Sequence, residues 1–277
     1  MSSHAPAKPV RRAEQTGEKI EHTTTFEVLA RSGFVARGVI YAVIGILAVK
    51  LALGDGGKTT NQSGALRTIA HQPFGKGLLI LVAIGLAGYS LWRIIRALVG
   101  HGPEASDSGF DRVAAFASGI AYAVIFVLAL EILLGSGASS GSPKKPTAGV
   151  LGWPAGTWMV GAVGVILCGV GLYQGYRGIT KDFLNDSKTE QMSPGIRTWI
   201  TGIGVFGHLA RMVVFGMIGI FLIRAAVEYD PNKAVGLDGA LAKLANHSYG
   251  SYLLGIVATG LIAFALYSLS DARYRRI

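Results

Sequence analysis

The sequence predicts an all-α, polytopic membrane protein in which six transmembrane helices form three parallel two-helix hairpin repeats with a pseudo-threefold arrangement. Composition is the first indication. The 277 residues are 51% hydrophobic and only 15% charged, with a mean hydropathy of +0.45, whereas soluble domains carry roughly 25% charged residues. Six long apolar stretches and an internal repeat are the second and third indications. A water-soluble fold is therefore excluded.

Six apolar stretches are predicted to cross the bilayer as helices; five have 20–22 residues, and the second, with 16, is extended by Ile94, Ile95, Ala97 and Leu98. At 1.5 Å per residue, about 20 residues span a hydrocarbon core of roughly 30 Å. Strands of a membrane barrel would instead be about ten residues of alternating polarity, so helices are predicted. The predicted spans are Phe34–Leu53, Gly77–Trp92, Val113–Leu134, Ala155–Tyr176, Gly207–Val227 and Ser251–Ser270.

The basic residues predict the orientation of these spans. The chain carries 26 Lys and Arg and a formal net charge of +10. Sixteen of these cations lie on the side of the two termini and seven on the opposite side. Because Lys and Arg are enriched in cytoplasmic loops, we predict a multi-pass protein of the cell membrane with cytoplasmic N- and C-termini. The same cations are expected to contact anionic headgroups on the cytoplasmic side.

An internal repeat predicts the architecture. The segment GFVARGVIYAVIG at 33–45 matches GHLARMVVFGMIG at 207–219, and GALRTIAHQPFG at 64–75 matches GALAKLANHSYG at 239–250. A weaker middle copy aligns Gly38, Tyr41 and Ala42 with Gly119, Tyr122 and Ala123. Each copy enters from the same side, so the repeats are parallel and related by an axis along the membrane normal.

The repeats divide the chain into four parts. The predicted parts are a disordered cytoplasmic tail at 1–25, then repeats at 26–100, 105–184 and 198–273. In repeats one and three the outer loop carries a short amphipathic segment, which we predict to be a helix on the membrane surface. The middle loop, GSGASSGSPKKPTAG, is predicted to be a flexible linker without an equivalent helix.

The early Ala-Arg-Gly, the Gly-Ala-Leu of the outer loop and the segment PFGKGLLILVAIGLAGYSLWR together support a resemblance. From about Glu27 onward the chain resembles a bacterial family of three-repeat membrane proteins known only as a domain of unknown function. The resemblance implies a membrane location and three repeats. It implies no catalytic residues.

Ionisable residues inside spans are the first place to search for function. Only the odd-numbered spans carry them, so the odd helices are predicted to face the protein centre and the even helices the lipid. The repeat alignment places Lys50, Glu131 and Arg224 at one equivalent position near the outer end of each odd span. This candidate intramembrane charge layer has three interpretations: the cations extend outward to the headgroups, Glu131 forms a structural ion pair, or the layer handles a solute.

A second candidate layer lies at the cytoplasmic end of the odd spans. It consists of Arg37, Ser118 and Arg211 at aligned positions, with His208 one turn before Arg211. The arginines are interpreted as headgroup anchors rather than transporter gates. For His208, packing is favoured over proton relay, because its helix offers no acidic partner.

The sequence contains no catalytic, cofactor-binding or metal-binding constellation. Cys168 has no base on its helix, and the single G-x-G-x-x-G at 202–207 lacks the strand context of a phosphate loop. The 39 glycines are instead attributed to close helix packing.

The resulting functional hypothesis is a non-enzymatic integral membrane protein that acts through helix packing with lipids or membrane partners. The bilayer is the expected partner, together with a membrane protein or a second copy of the chain; nucleic acid is excluded because no basic cluster sits on a soluble domain. The alternative is a small-solute or ion transporter or channel that uses the ionisable odd helices. An enzyme acting on lipid ranks third.

Topology is tested by cysteine-accessibility labelling at Lys58 and Lys188. Because the two positions fall on opposite sides of the predicted bilayer, an impermeant reagent added outside should label Lys58→Cys and not Lys188→Cys. Labelling of both positions from outside contradicts the predicted topology.

Overall fold

Nine α-helices are found in the part of the chain that the structure describes, which is residues 24–99, 109–135 and 144–276 of a computed structural model. The tail predicted at 1–25 lies outside these residues except for its last two positions, which begin the first helix. Six helices are long and apolar enough to cross a membrane, which confirms the predicted all-α, six-span class. In chain order the nine helices are α1 Thr24–Ala52, α2 Gln62–Ala70, α3 Gly75–Val99, α4 Gly109–Leu133, α5 Lys144–Leu151, α6 Gly156–Thr180, α7 Pro194–Val227, α8 Leu237–Ala245 and α9 Gly250–Tyr274.

The helix α5 corrects the prediction for the middle loop. Residues 144–151 are helical, although the loop was expected to lack the short helix of the other two. Leu151 is buried against α6 and α7 in a small apolar cluster, and Tyr229 Oη donates to the Leu151 carbonyl at 2.7 Å. Pro146 lies in the first turn, where its missing N–H costs no helical hydrogen bond. Tertiary packing therefore stabilises a helix that the loop composition disfavours.

The three repeats pack against one another in cyclic order. Helix α3 of the first repeat contacts α4 of the second, α6 of the second contacts α7 of the third, and α9 of the third contacts α1 of the first. Within their own hairpins α1 packs on α3 and α7 on α9, but α4 and α6 share no comparable interface in the described ranges. The helices thus follow the order α4–α3–α1–α9–α7–α6. The pseudo-threefold ring is open at one place, between α4 and α6.

The interfaces between repeats reuse one close contact. A Cβ added at Gly38 would lie 2.9 Å from Leu269, and one added at Gly119 would lie 2.7 Å from Ile94. These two glycines are equivalent in the repeat alignment, and so are their partners. In the third interface the sizes are exchanged, because Gly175 of α6 meets Met212 of α7. A small residue on one helix thus accommodates a large one on the next at the same level of all three interfaces.

A second set of glycines closes two of the three hairpins. Gly33 packs on Tyr89, and Gly85 packs on the Ser32 carbonyl, so that α1 and α3 touch. In the third repeat Gly207 and Gly260 make the equivalent contacts between α7 and α9. Their counterparts in the middle repeat are Ala114 and Ile166. The middle hairpin therefore lacks both glycines that permit close approach in the other two.

The opening in the middle repeat is visible in side-chain exposure. Val163 of α6 is 48% exposed, whereas the equivalent Val82 and Val257 are 3% and 7% exposed. On α4, Ala117 is exposed although its equivalents are buried. We call this opening the middle cleft; its walls are Ala117 and Ala121 on α4 and Val163, Ile166 and Val170 on α6.

Burial does not follow the predicted division between odd and even helices. About half of the apolar window is buried in α1, α3 and α9, compared with 11% in α4 and 22% in α6. The expectation that odd helices face the centre and even helices the lipid is wrong. Burial instead follows position in the open ring, because α4 and α6 are its two ends and each has only one long neighbour.

Replacing Gly38 with Leu should lower the stability of the folded protein by roughly 1–3 kcal/mol, because the new side chain must displace Leu269 and overpacking a close contact carries that cost. The matched control is Gly169→Leu, since Gly169 also lies in a long helix but has no neighbouring atom within 4 Å of an added Cβ. Thermal unfolding in detergent measures both. Equal losses at the two positions would contradict the packing role of Gly38.

Candidate functional site

The predicted second layer contains a buried ion pair. Arg37 of α1 is buried, and its Nη2 lies 2.8 Å from Asp271 Oδ2 on α9. Its Nε donates to Ser268 Oγ at 2.6 Å. The guanidinium also lies over the rings of Phe34 and Tyr89, 5.0 and 5.7 Å from their centroids. Arg37 therefore joins the first and third repeats inside the bundle, and it acts neither as a headgroup anchor nor as an isolated gate charge.

An aromatic box surrounds this position in two of the repeats. In the first, the ring of Phe34 meets Tyr89 and Trp92 edge-to-face at 5.2 and 5.8 Å. In the third, His208 takes the place of Phe34 and meets Phe264 and Tyr267 at 5.7 and 5.2 Å. Edge-to-face contacts of this kind add specific geometry to apolar burial.

His208 has a packing role, as favoured from the sequence. Its ring stacks on Phe183 at 4.9 Å, and Nδ1 donates to the Gly204 carbonyl at 2.8 Å. The side chain is buried. It is the third repeat's version of the aromatic residue that packs at this position in the first.

Arg211 of α7 makes the equivalent contacts but has a neutral partner. With the Gln174 amide oriented by the hydrogen-bond network, its oxygen accepts from Arg211 Nη1 and Nη2 at 2.8 and 2.9 Å. The guanidinium lies 4.3 Å from the ring centroid of Phe264, 5.1 Å from that of Phe215 and 5.8 Å from that of Tyr41. Arg211 is thus held by three long helices besides its own: α6, α9 and α1.

One rule relates these contacts. Each odd-helix arginine reaches the even helix of the preceding repeat, at positions that align with each other: Arg37 reaches Ser268, and Arg211 reaches Gln174. In the remaining interface Ser118 replaces the odd-helix arginine, and the aligned even-helix position is Arg93. The Cβ of Arg93 lies against Gly119, next to Ser118. The cation has therefore moved across the interface, and every pair of neighbouring repeats contributes one arginine to this level.

The ion pair continues outward from the bundle on the face where α1 begins and α9 ends, which we call the termini face. Arg275 Nη1 lies 3.6 Å from Asp271, and its Nη2 lies 2.9 Å from Asp186 in the segment between α6 and α7. Asp186 also pairs with Arg177 near the end of α6. This termini-face network, from Arg37 through Asp271, Arg275 and Asp186 to Arg177, connects the middle of α1 with the ends of α9 and α6.

The predicted outer layer is not assembled as an ion pair. Among the described residues no ion pair within 4.0 Å joins Glu131 to Lys50 or Arg224. Arg224 instead pairs with Glu228 at 3.2 Å on its own helix end, and Lys50 is exposed. Hydrogen bonds from Lys233 and Arg224 lower the pKa of Glu228. Equal depth did not bring the three side chains together, because α4 stands at one end of the open ring.

The remaining sequence features have structural explanations. The 202–207 glycine motif lies inside α7, where it forms no loop. Cys168 packs against Gly219, and within the described ranges no three His, Cys, Asp or Glu residues are grouped to hold a metal ion.

Comparison with known proteins identifies the repeats. The family model described as Domain of Unknown Function (DUF1206) matches three times, over residues 32–100, 113–181 and 206–275. The chain belongs to this family. A relative from Bacillus subtilis (strain 168), named uncharacterized protein YxxB, is 34% identical over 251 residues, which cover 89% of this chain and 90% of the relative. No solved structure matches the chain. The resemblance noted from the sequence is confirmed.

Sequence reasoning missed the partners of the two arginines, Asp271 and Gln174. The sixth span was predicted to end at Ser270, one residue before Asp271. The signal was present in the repeat alignment of the even spans, where Asp271 aligns with Arg96 and Arg177. In this chain the reversal of charge at Asp271 coincides with the ion pair that joins the first and third repeats.

Replacing Asp271 with Leu should destabilise the protein by about 3–5 kcal/mol, because it leaves the buried Arg37 without its carboxylate. The double variant Arg37→Met with Asp271→Leu should recover much of the loss, since the desolvated charge is removed with its partner. The control is Glu190→Gln, which breaks an exposed pair with Arg276 and should leave the unfolding temperature unchanged. A neutral Asp271→Leu would contradict a structural role for the pair.

Proposed function

We propose that this protein is a non-enzymatic lipid-binding protein of the cell membrane, with both termini in the cytoplasm, and that lipid chains occupy the middle cleft. The observation that carries the proposal is the open hairpin of the second repeat. Residues that are buried in the hairpins of the first and third repeats are exposed there, and all five wall residues are apolar.

Lipid suits the cleft better than a partner helix. Hydrocarbon chains are as apolar as the wall residues, so no hydrophobic force closes the hairpin once its two glycines are lost. The α6 wall presents the branched side chains Val163, Ile166 and Val170. Close helix contacts between and within the repeats of this molecule instead place a glycine against the neighbour.

The packed interior supports this proposal over the transport alternative. The largest apolar cluster draws fully buried side chains from neighbouring helices, among them Ile44 of α1, Leu86 of α3 and Leu261 of α9. A transport path along the axis would have to open this cluster. The arginine level is likewise tied by aromatic rings and ion pairs between repeats.

Anionic headgroups are the proposed polar partners on the cytoplasmic side. Exposed cations such as Arg112, Arg197 and Arg273 lie at helix ends on the termini face, where each can contribute about 1 kcal/mol of attraction to an anionic surface.

The test places a nitroxide at Val163 in the middle cleft and, as a matched control, at Val165 on the opposite, 62%-exposed side of α6. Both use a Cys168→Ala background. In liposomes of the purified protein we expect equal oxygen accessibility at the two positions, because oxygen dissolves in lipid chains and a lipid-filled cleft admits it.

Two results would contradict the proposal. Shielding of Val163 but not Val165 in liposomes means that the hairpin closes or that copies of the chain pair through it. Accessibility in liposomes followed by shielding in native membranes means that another membrane protein occupies the cleft.

A further inference from the structure

Arg211 differs from Arg37 in lacking an acidic partner. No carboxylate lies within 4.0 Å of its guanidinium anywhere in residues 24–99, 109–135 or 144–276, and its polar contact is the neutral amide of Gln174. Arginines inside membrane bundles are costly and are normally paired or hydrogen-bonded. The three aromatic rings beneath Arg211 attract its charge but do not neutralise it. The site therefore has one positive charge to be balanced.

Arg211 lies at the inner end of the middle cleft. Val163, Ile166, Val170 and Gln174 follow one another along α6 at spacings of three or four residues, which places them on one side of the helix. Gln174 holds Arg211, so the apolar wall ends at the guanidinium. Arg211 keeps partial exposure in this position.

The dimensions fit one lipid of one leaflet. Eleven residues separate Val163 from Gln174, which is about 16 Å along a helix. Half of a bilayer hydrocarbon core is about 15 Å. The guanidinium lies toward the termini face, so the acyl chain of a lipid from that leaflet would extend along the wall toward the hairpin loops.

We propose that Arg211 binds the phosphate of an anionic phospholipid whose acyl chain lies in the middle cleft. This inference rests on the proposed function and adds the headgroup chemistry. A guanidinium presents planar, parallel N–H donors that match two phosphate oxygens. The Gln174 oxygen lies 2.8, 2.9 and 3.3 Å from Nη1, Nη2 and Nε of Arg211. Because a guanidinium carries five N–H donors, donors remain for a phosphate, while the rings of Phe264, Phe215 and Tyr41 hold the guanidinium in place.

The test measures lipid binding to the delipidated full-length protein by native mass spectrometry. The probes are phosphatidylglycerol and phosphatidylcholine with identical chains. We expect one phosphatidylglycerol bound in preference to phosphatidylcholine, and a loss of affinity of about ten- to one-hundredfold in Arg211→Gln, as for removal of a charge-assisted hydrogen-bond pair. The control Arg224→Gln removes an exposed cation from the opposite end of the same helix and should keep the preference.

A second variant keeps the inference testable if Arg211→Gln fails to fold. Ile166→Trp fills the cleft at a 62%-exposed position with Arg211 intact, and it should also abolish the preference. Retention of the preference in either folded variant overturns the inference. So does Arg211-dependent binding of inorganic phosphate or oleate in place of phosphatidylglycerol.

Failure of this inference is distinguishable from failure of the proposed function. If lipid fills the cleft without using Arg211, the nitroxide at Val163 remains accessible while the two phospholipids bind equally. If the cleft holds no lipid at all, the nitroxide is shielded.

Discussion

The structure depends on close approach between helices that gain nothing by hiding apolar surface from lipid. In a bilayer the attraction must come from dispersion between tightly fitted backbones and from polar contacts. The repeats meet this requirement with a glycine opposite a large side chain: Gly38 against Leu269, Gly119 against Ile94, and Gly175 against Met212. Because the fit needs one small and one large residue, the exchange of sizes in the third interface preserves it.

Buried charged side chains specify the register between helices, which complementary shape alone does not determine. The Arg37–Asp271 pair is expensive to desolvate and contributes through its direction rather than its net energy. It fixes the register between α1 and α9, and the termini-face network extends that register to α6 through Arg275, Asp186 and Arg177. Helices α1 and α9 are thereby tied at one end of the bundle, which closes the ring of repeats on the side opposite the middle cleft.

The spans, the repeats and the packing role of His208 were predictable from the sequence, because hydrophobic length and internal similarity are local properties of the chain. The partners of the charged residues were not. The alignment places Lys50, Glu131 and Arg224 at one depth. Depth does not determine the direction that a side chain faces around its helix, however, and Arg224 pairs with Glu228, one turn further along its own helix. The burial of Asp271 was not predicted, because a hydropathy pattern places the end of a span before its first charged residue. In the fold this side chain is 1% exposed. The helix at Lys144–Leu151 depends on contacts with the 231–233 turn. No local pattern in this Gly-, Ser- and Pro-rich segment predicts those contacts.

Because the middle repeat lacks two glycines, one side of the bundle differs from the other two. A bundle with three identical hairpins would present the same surface in three directions of the membrane plane, and neighbours could approach it equally from any of them. Here Ala114 and Ile166 stand where Gly33 and Gly85, or Gly207 and Gly260, close the other hairpins. Duplication supplied the scaffold, and divergence at two positions broke its equivalence. A molecule that binds at this opening therefore binds once per chain and from one direction in the membrane plane.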